Sequence, residues 1–331
     1  MSKSLKAAIY ETHGLPAEVL RIEEQPWPEP APDEVVVKME AAPINPADLN
    51  AIEGKYPIRP VLPATPGMEG AGTVVEVGSA VRDIQIGALV ILPHSLGTWR
   101  EACAIKAEKL VIVPDGIEPV QAAMLKVNPV TAWRMLHDFV SLQAGEWVVQ
   151  NAANSGAGRA VIQIARELGY KTVNIVRREE LVEELRDEGG DVVLVEGENL
   201  RAEVAAQTQR APIRLALNAV GGESALRMAK TLAPDATIVT YGAMSLQPMC
   251  IPNGMLIFKN LRFTGFWVNK WYDGATVQQR ADTFGPLFQM AQRGLLRAKV
   301  EKAYPLMEAQ AAIAHASQNK RSGKIVFRFD A

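Results

Sequence analysis

The sequence predicts an α/β chain in which a β-rich domain precedes a doubly wound parallel sheet. Two patterns carry that expectation. Short β-branched runs bounded by Pro, Gly and Asp fill the first third, and strands alternate with helices from about residue 120 onward. Length agrees, since 331 residues exceed one domain at ~100–200 residues apiece.

The strands of the first third are expected at 35–39, 72–77, 88–91 and 110–113. Pro57, Pro60, Pro63 and Pro66 remove backbone donors, so the segment they punctuate is not helical. Strands this short and this closely spaced fit a compact barrel-like domain. Residues 146–150 then read as a strand running into a Gly-containing turn. Val161, Ile164, Ala165 and Leu168 recur at i, i+3, i+4 and i+7, the stripe of an amphipathic helix, and Gly169 is placed to end it. A strand at 172–176, a helix at 179–188 stopped by Gly189-Gly190, and strands at 191–195 and 215–220 follow. A helix from Glu223 and a strand at 237–241 complete the alternation. The C-terminal stretch holds an Ala-rich helix at 307–317 and a strand at 324–329. Periodicity leaves open whether that strand returns to the first domain.

Composition narrows the function. Lys+Arg is 35 against 37 Asp+Glu, a formal charge of −2, so no excess of basic residues is available to displace phosphate counterions from a nucleic acid. Hydrophobic residues at 48% and charged residues at 22% describe an ordinary globular chain rather than a disordered one. Cys103 and Cys250 form no C-x-x-C pair, which excludes a disulfide framework and a four-cysteine zinc lobe and points to a reducing compartment. No apolar run approaches the ~20 residues that span a bilayer. The stretch MSKSLKAAIYETHG lacks the apolar core of a signal peptide, so a cytoplasmic protein with no membrane partner is expected.

The strongest local signal is Gln150-Asn151-Ala152-Ala153-Asn154-Ser155-Gly156-Ala157-Gly158, between a strand and a helix. Gly156 and Gly158 allow a tight turn and close approach of backbone to a pyrophosphate, while the helix N-terminus offers free N–H groups to the anion. The βαβ context favours a dinucleotide site, with a merely structural turn as the alternative. An NAD-binding unit places an acid ~20 residues on, to bond the ribose 2′-hydroxyl. Here that position holds Arg177-Arg178, whose guanidinium groups suit a 2′-phosphate, so NADPH is favoured. The alternative is that these arginines pair with Glu179 and Glu180 on the surface. Tyr241-Gly242-Ala243-Met244 follows a parallel strand, whose carboxyl end faces the cofactor crevice. Phe266-Trp267-Val268 is read as a nicotinamide or acyl-pocket wall, with a dimer-interface strand as the alternative. Asn128 and Thr131 precede the first dinucleotide-binding unit and are placed to meet the nicotinamide. Asn45 is read as the cap of a short helix at 46–51, with a cleft-facing amide as the alternative.

Cys103, Cys250 and the scattered histidines His13, His94, His137 and His315 form no metal-ligand spacing, and no G-x-S-x-G elbow is present. A metal-free hydride transfer to an alkene already activated by conjugation is the expectation that follows.

These residues resemble the medium-chain dehydrogenase/reductase superfamily over nearly the whole chain. Pro66-Gly67-Met68-Glu69-Gly70 stands where zinc-dependent members carry P-G-H-E-x, with Met68 in place of the ligand His. The superfamily turn G-x-x-G-G-x-G stands as Ala152-x-x-Ser155-Gly156-x-Gly158. Within the superfamily the chain is most similar to the mitochondrial-type trans-2-enoyl thioester reductases. Asn45-Pro46-Ala47-Asp48-Leu49-Asn50, Gly54-Lys55-Tyr56, Leu96-Gly97-Thr98-Trp99-Arg100, Val127-Asn128-Pro129, Asn218-Ala219-Val220-Gly221-Gly222 and Gly265-Phe266-Trp267 carry that similarity, with Asn154-Ser155 in the turn. One departure is Lys126, where a small residue, often Gly, is expected before Val-Asn-Pro.

The resemblance implies a GroES-like catalytic domain over 1–122, completed by 295–331, and a Rossmann NADPH-binding domain over 123–294. It implies reduction of a CoA- or ACP-linked enoyl thioester, with a quinone oxidoreductase and a non-catalytic nucleotide-binding protein as competing readings. Tyr56 would then donate the proton, since a phenol of pKa ~10 is protonated at neutral pH. Trp99 would lie near the thioester, with core packing as the alternative, and Lys324 is assigned with the cofactor residues. Lys270, Lys126 and Arg134 are candidate contacts for carrier phosphates. A homodimer through edge strands of the Rossmann sheet is expected.

Overall fold

A computed structural model describes residues 3–94, 97–318 and 321–329. Leu96, in the matched segment ending at Arg100, lies outside them. The chain divides into two compact units, Met1–Lys126 with Arg297–Ala331, and Val127–Leu296.

The first unit opens with β1 (Ser4–Ile9), α1 (Pro16–Val19) and β2 (Arg21–Pro26), the two strands pairing antiparallel. Then come β3 (Glu34–Pro43), α2 (Pro46–Ile52), β4 (Ala71–Val77), β5 (Leu89–Ile91), β6 (Ala102–Lys106), β7 (Val111–Ile112) and α3 (Pro119–Ala122). The second unit runs through α4 (Asn128–Asp138), β8 (Trp147–Gln150), α5 (Gly156–Glu167), β9 (Lys171–Val176), α6 (Leu181–Asp187) and β10 (Val192–Val195). It continues with α7 (Leu200–Gln207), β11 (Ile213–Asn218), α8 (Gly222–Lys230), β12 (Thr237–Thr240), α9 (Asn253–Ile257), β13 (Arg262–Gly265), α10 (Val268–Gly274) and α11 (Val277–Gln292). The chain returns to the first unit with β14 (Val300–Pro305), α12 (Ala309–Ala316) and β15 (Lys324–Arg328).

Strand β3 organises the first unit, pairing antiparallel with β4, β6 and β15. Its run of Val35, Val36 and Val37 is continuous because both faces are covered. Successive side chains point to opposite sides of a strand. Val35, Val37 and Met39 enter the main core with Trp99 and Phe327, while Val36 packs with Leu5, Ala7 and Ile9 of β1. The same alternation on β15 sends Ile325 and Phe327 into the main core. That burial, with Phe327 registered against Ala42, is why the C-terminal strand closes the first unit's sheet.

The second unit carries a six-stranded parallel sheet in the order β10-β9-β8-β11-β12-β13. This is the doubly wound order, and it reverses direction between β8 and β11, the place where such sheets open a ligand crevice. Among the described residues, no helix is long and apolar enough to cross a membrane.

The two cysteines sit in opposite environments. Cys103 is buried in β6, and burial pushes its thiol up to about 11, whereas Cys250 is exposed. Thiolate, not thiol, attacks a disulfide reagent. Titration with a chromogenic aromatic disulfide at pH 8 should therefore count one fast thiol in the native protein and two in denaturant. Two fast native thiols would contradict the burial of Cys103.

Candidate active site

In the first unit, the site is built around α2. Pro46 suits the first helical turn, and Asp48 reaches back from the third position to accept the Asn45 N–H at 2.7 Å. The helix closes at Gly54, whose φ of +73° an L side chain rarely adopts and whose added Cβ would stand 3.1 Å from the His13 ring. The chain then folds back, so that the N–H groups of Lys55 and Tyr56 both donate to the Asn50 carbonyl, at 2.8 and 3.1 Å. Tyr56 is half-buried and thereby tied to the helix that precedes it.

Beneath α2 lies a buried charged cluster. The Asn45 amide donates to Glu69 Oε1 at 2.8 Å, and its carbonyl oxygen accepts from Lys324 Nζ. Asp48 Oδ1 accepts the Met68 N–H at 2.8 Å. Lys126 Nζ donates to the Met68 carbonyl at 2.6 Å and the Leu92 carbonyl at 3.2 Å. Asp48, Glu69 and Lys126 are 1, 0 and 3% exposed. Burial pushes the Asp48 carboxyl up to about 7, helped by the Glu69 charge and opposed by its backbone donors. Burial pushes the Lys126 ammonium down to about 7, while Glu69 and Asp48 draw it back. Burial also lowers Lys324. Two potential anions are thus set among two potential cations, the arrangement that makes buried charge tolerable.

In the second unit, the turn after β8 forms an anion cradle. Ser155 caps α5, its hydroxyl accepting the Gly158 N–H at 3.1 Å, which leaves the first helical N–H groups pointing out of the helix. Ala152 adopts φ +48°, the left-handed conformation at the first glycine position of the superfamily pattern. Gly158 lies so close to the turn that an added Cβ would be 2.5 Å from the Ala153 carbonyl. A network of buried amides fixes the carboxyl ends of the strands. Gln150 donates to Asn174 Oδ1 at 2.8 Å and to the Gly158 carbonyl at 2.9 Å. Asn151 donates to Asn218 Oδ1 at 2.9 Å and accepts the Ala219 N–H at 2.7 Å.

The other sequence-derived residues are distributed as follows. Asn154 and Ala157 belong to the cradle; the Asn154 carbonyl accepts from Arg159 at 3.2 Å. The turn of Tyr241, Gly242, Ala243 and Met244 is pinned to the β11 end, with Tyr241 N–H on Asn218 and Met244 N–H on Ala219, both at 3.0 Å. Burial pushes the Tyr241 phenol up to about 12, and Ser155 opposes that shift. Arg177 and Arg178 follow β9. Arg177 is exposed, and Arg178 meets Glu180 at 3.1 Å. Such a solvent-facing pair is worth ~0–1 kcal/mol and is readily exchanged for a phosphate. Asn128 opens α4, and Thr131 is buried one turn on. Phe266 meets Phe139 edge-on at 6.0 Å, Trp267 is partly exposed, and Val268 is buried.

Three expectations change. Trp99 is fully buried, its ring edge-on to Phe327 at 5.1 Å, so it is a core residue of the first unit rather than a group presented to substrate. Asn45 caps α2 as expected, but its side chain bonds Lys324 and Glu69 inside the charged cluster, so its polar atoms and the Lys324 ammonium are engaged there rather than held out for a cofactor. Lys126 is buried, which removes it from the carrier-phosphate candidates, and Arg134 is engaged by Asp138. Asp48 and Glu69 received no role from the sequence. The Asn-Pro-Ala-Asp spacing of a capping box was the available signal for Asp48.

The comparisons with known proteins extend this picture. Residues 31–115 match the alcohol dehydrogenase GroES-like domain, and residues 156–283 match the zinc-binding dehydrogenase model. The mitochondrial enoyl-acyl-carrier-protein reductase of Rattus norvegicus is 42% identical over 315 residues, covering 93% of this chain and 84% of that protein. The chain belongs to the enoyl-acyl-carrier-protein reductase family. Its fold is shared with Etr1p in complex with NADP and crotonyl-CoA, at a TM-score of 0.91 and 30% identity over 99% of this chain and 100% of that one. It is shared equally with the mitochondrial 2-enoyl thioester reductase Etr1p/Etr2p heterodimer of Candida tropicalis, at 0.90 and 29% with the same coverage.

The zinc in the name of one matching model has no suitable donors here. Met68 offers a thioether where zinc-dependent members have imidazole, and the Lys126 ammonium is bonded to the Met68 carbonyl itself. Among the described residues, no group of three or more His, Cys, Asp and Glu is placed to hold a metal ion. A dinucleotide fits better, because the cradle is shaped by a glycine that no side chain can replace. Gly158→Ala should lower stability by ~1–3 kcal/mol, which is read as a fall of ~2–4 °C per kcal/mol in calorimetry. An unchanged midpoint would show that the turn tolerates a side chain.

Proposed function

We propose that this chain reduces trans-2-enoyl thioesters, carried on CoA or ACP, to the saturated acyl thioesters with NADPH. The observation that carries the reading is the 42% identity to an enoyl-acyl-carrier-protein reductase along 93% of the chain. NADPH, when bound, supplies the hydride that adds to the β-carbon. The N-terminus of α5 with Asn154, Ser155, Gly156, Ala157 and Gly158 would hold the pyrophosphate, and Arg177 and Arg178 would hold the 2′-phosphate. The backbone of 241–244, with Asn128, Thr131 and the Phe266–Val268 segment, lines the ring and acyl end.

Hydride addition leaves an enolate whose α-carbon must take a proton. Tyr56 supplies that proton or steadies the enolate by hydrogen bonding, as a phenol that is neutral at physiological pH does. Its attachment to the end of α2 supports the role by holding the phenol-bearing residue on a fixed element. The exposed edge strand β13 supports assembly as a homodimer, since an unpaired strand edge is a ready partner for its own copy.

Steady-state NADPH oxidation with crotonyl-CoA tests the reading, and a benzoquinone serves as the competing acceptor. Crotonyl-CoA should be strongly preferred; the reverse preference overturns the proposal. Tyr56→Phe should cut turnover ~10²-fold, the scale of lost general-acid catalysis, with NADPH affinity intact. Replacing Arg177 and Arg178 together by Ala should raise the NADPH KM by ~10–100-fold, the worth of charged hydrogen bonds, and leave NADH nearly unaffected. Equal losses for both cofactors would remove these arginines from the 2′-phosphate site.

A further inference from the structure

Lys126 stands where the family resemblance expects a small residue, and its side chain is enclosed rather than solvated. Its ammonium bridges two separate segments, bonding the Met68 carbonyl at 2.6 Å and the Leu92 carbonyl at 3.2 Å. Met68 is held at its other backbone group as well, its N–H donating to Asp48 Oδ1 at 2.8 Å. Asp48 belongs to α2 and holds that helix's first turn through the Asn45 N–H. The last turn of α2 receives the N–H groups of Lys55 and Tyr56 on one carbonyl, that of Asn50. A continuous path of hydrogen bonds and one helix therefore joins Lys126 to Tyr56.

We propose that Lys126 is a positioning residue for the reduction, an internal cation that clamps the Met68 and Leu92 carbonyls and, through Asp48 and α2, sets the placement of Tyr56. The inference rests on the role given to Tyr56 above. Two facts favour positioning over simple charge balance. The ammonium lies on backbone carbonyls of two loops, and the same short Met68 segment meets both Lys126 and Asp48. Misplacing a reacting group by ~1 Å costs up to ~10²-fold in rate, so loosening one end of this path should be visible in turnover.

The test is a double-mutant cycle on the full chain with crotonyl-CoA and NADPH. Lys126→Met, which keeps the length and removes the charge, should lower kcat at least ~10-fold while the NADPH Kd changes less than ~2-fold. In the Tyr56→Phe background the same substitution should cost less than ~2-fold, because the group it places is already gone. Should Lys126→Met fail to fold, Lys126→Gly carries the same cycle with the small residue of the related enzymes. An equal fold-loss in both backgrounds, or no loss in the wild-type background, overturns the inference. Failure of the underlying reading is separate, since it is seen when Tyr56→Phe alone leaves kcat unchanged.

Discussion

Burying polar groups is costly unless each finds a partner, and both units of this protein are organised by that constraint. In the first unit it concerns ionisable side chains. Asp48, Glu69 and Lys126 are withdrawn from water, and they are tolerable only because carboxylates, ammonium groups, amides and carbonyls meet within hydrogen-bond distance. In the second unit it concerns amides. Gln150, Asn151, Asn174 and Asn218 are buried at or near the sheet's carboxyl end, where Gln150 donates to Asn174 and Asn151 donates to Asn218. Each network fixes the loops that carry the candidate functional groups. Cooperative polar networks are stiff for this reason, because displacing one member leaves another unsatisfied.

The Lys126 ammonium gives the charged cluster a chemical character distinct from a metal centre. A metal ion would draw ligands around an open coordination position and polarise an oxygen directly. A lysine donates from a fixed tether and offers only hydrogen bonds. The absence of imidazole at Met68 and the presence of the ammonium on the Met68 carbonyl belong together: one changes the donor set, the other supplies a positive charge to two buried acids.

Local patterns were legible where one element answers one rule. Val161, Ile164 and Ala165 are buried on α5 as their spacing requires, and the helix ends at Leu168, before Gly169. The doubly wound order followed from the strand–helix alternation. Strands β2, β6, β13 and β14 were not legible. β13 is mostly exposed, and β14 alternates weakly, so neither carries a clear period-2 signal. Trp99 was placed near the thioester by resemblance, with packing as the alternative, and the burial against Phe327 that favours packing depends on a strand more than two hundred residues later.

By itself, the sequence determined the two architectures, the glycine-containing turn that opens α5 and the position of Arg177 and Arg178 just after β9, because each depends on residues close together in the chain. Tertiary structure alone decided which strand β15 pairs with, that Asn45 meets Lys324, and that Lys126 lies among Asp48, Glu69 and Met68. The physical reason is the range of the interactions. Turn geometry and helix caps are fixed by neighbours, whereas the partner of a buried charge is chosen by the packing of segments that the chain's order keeps far apart.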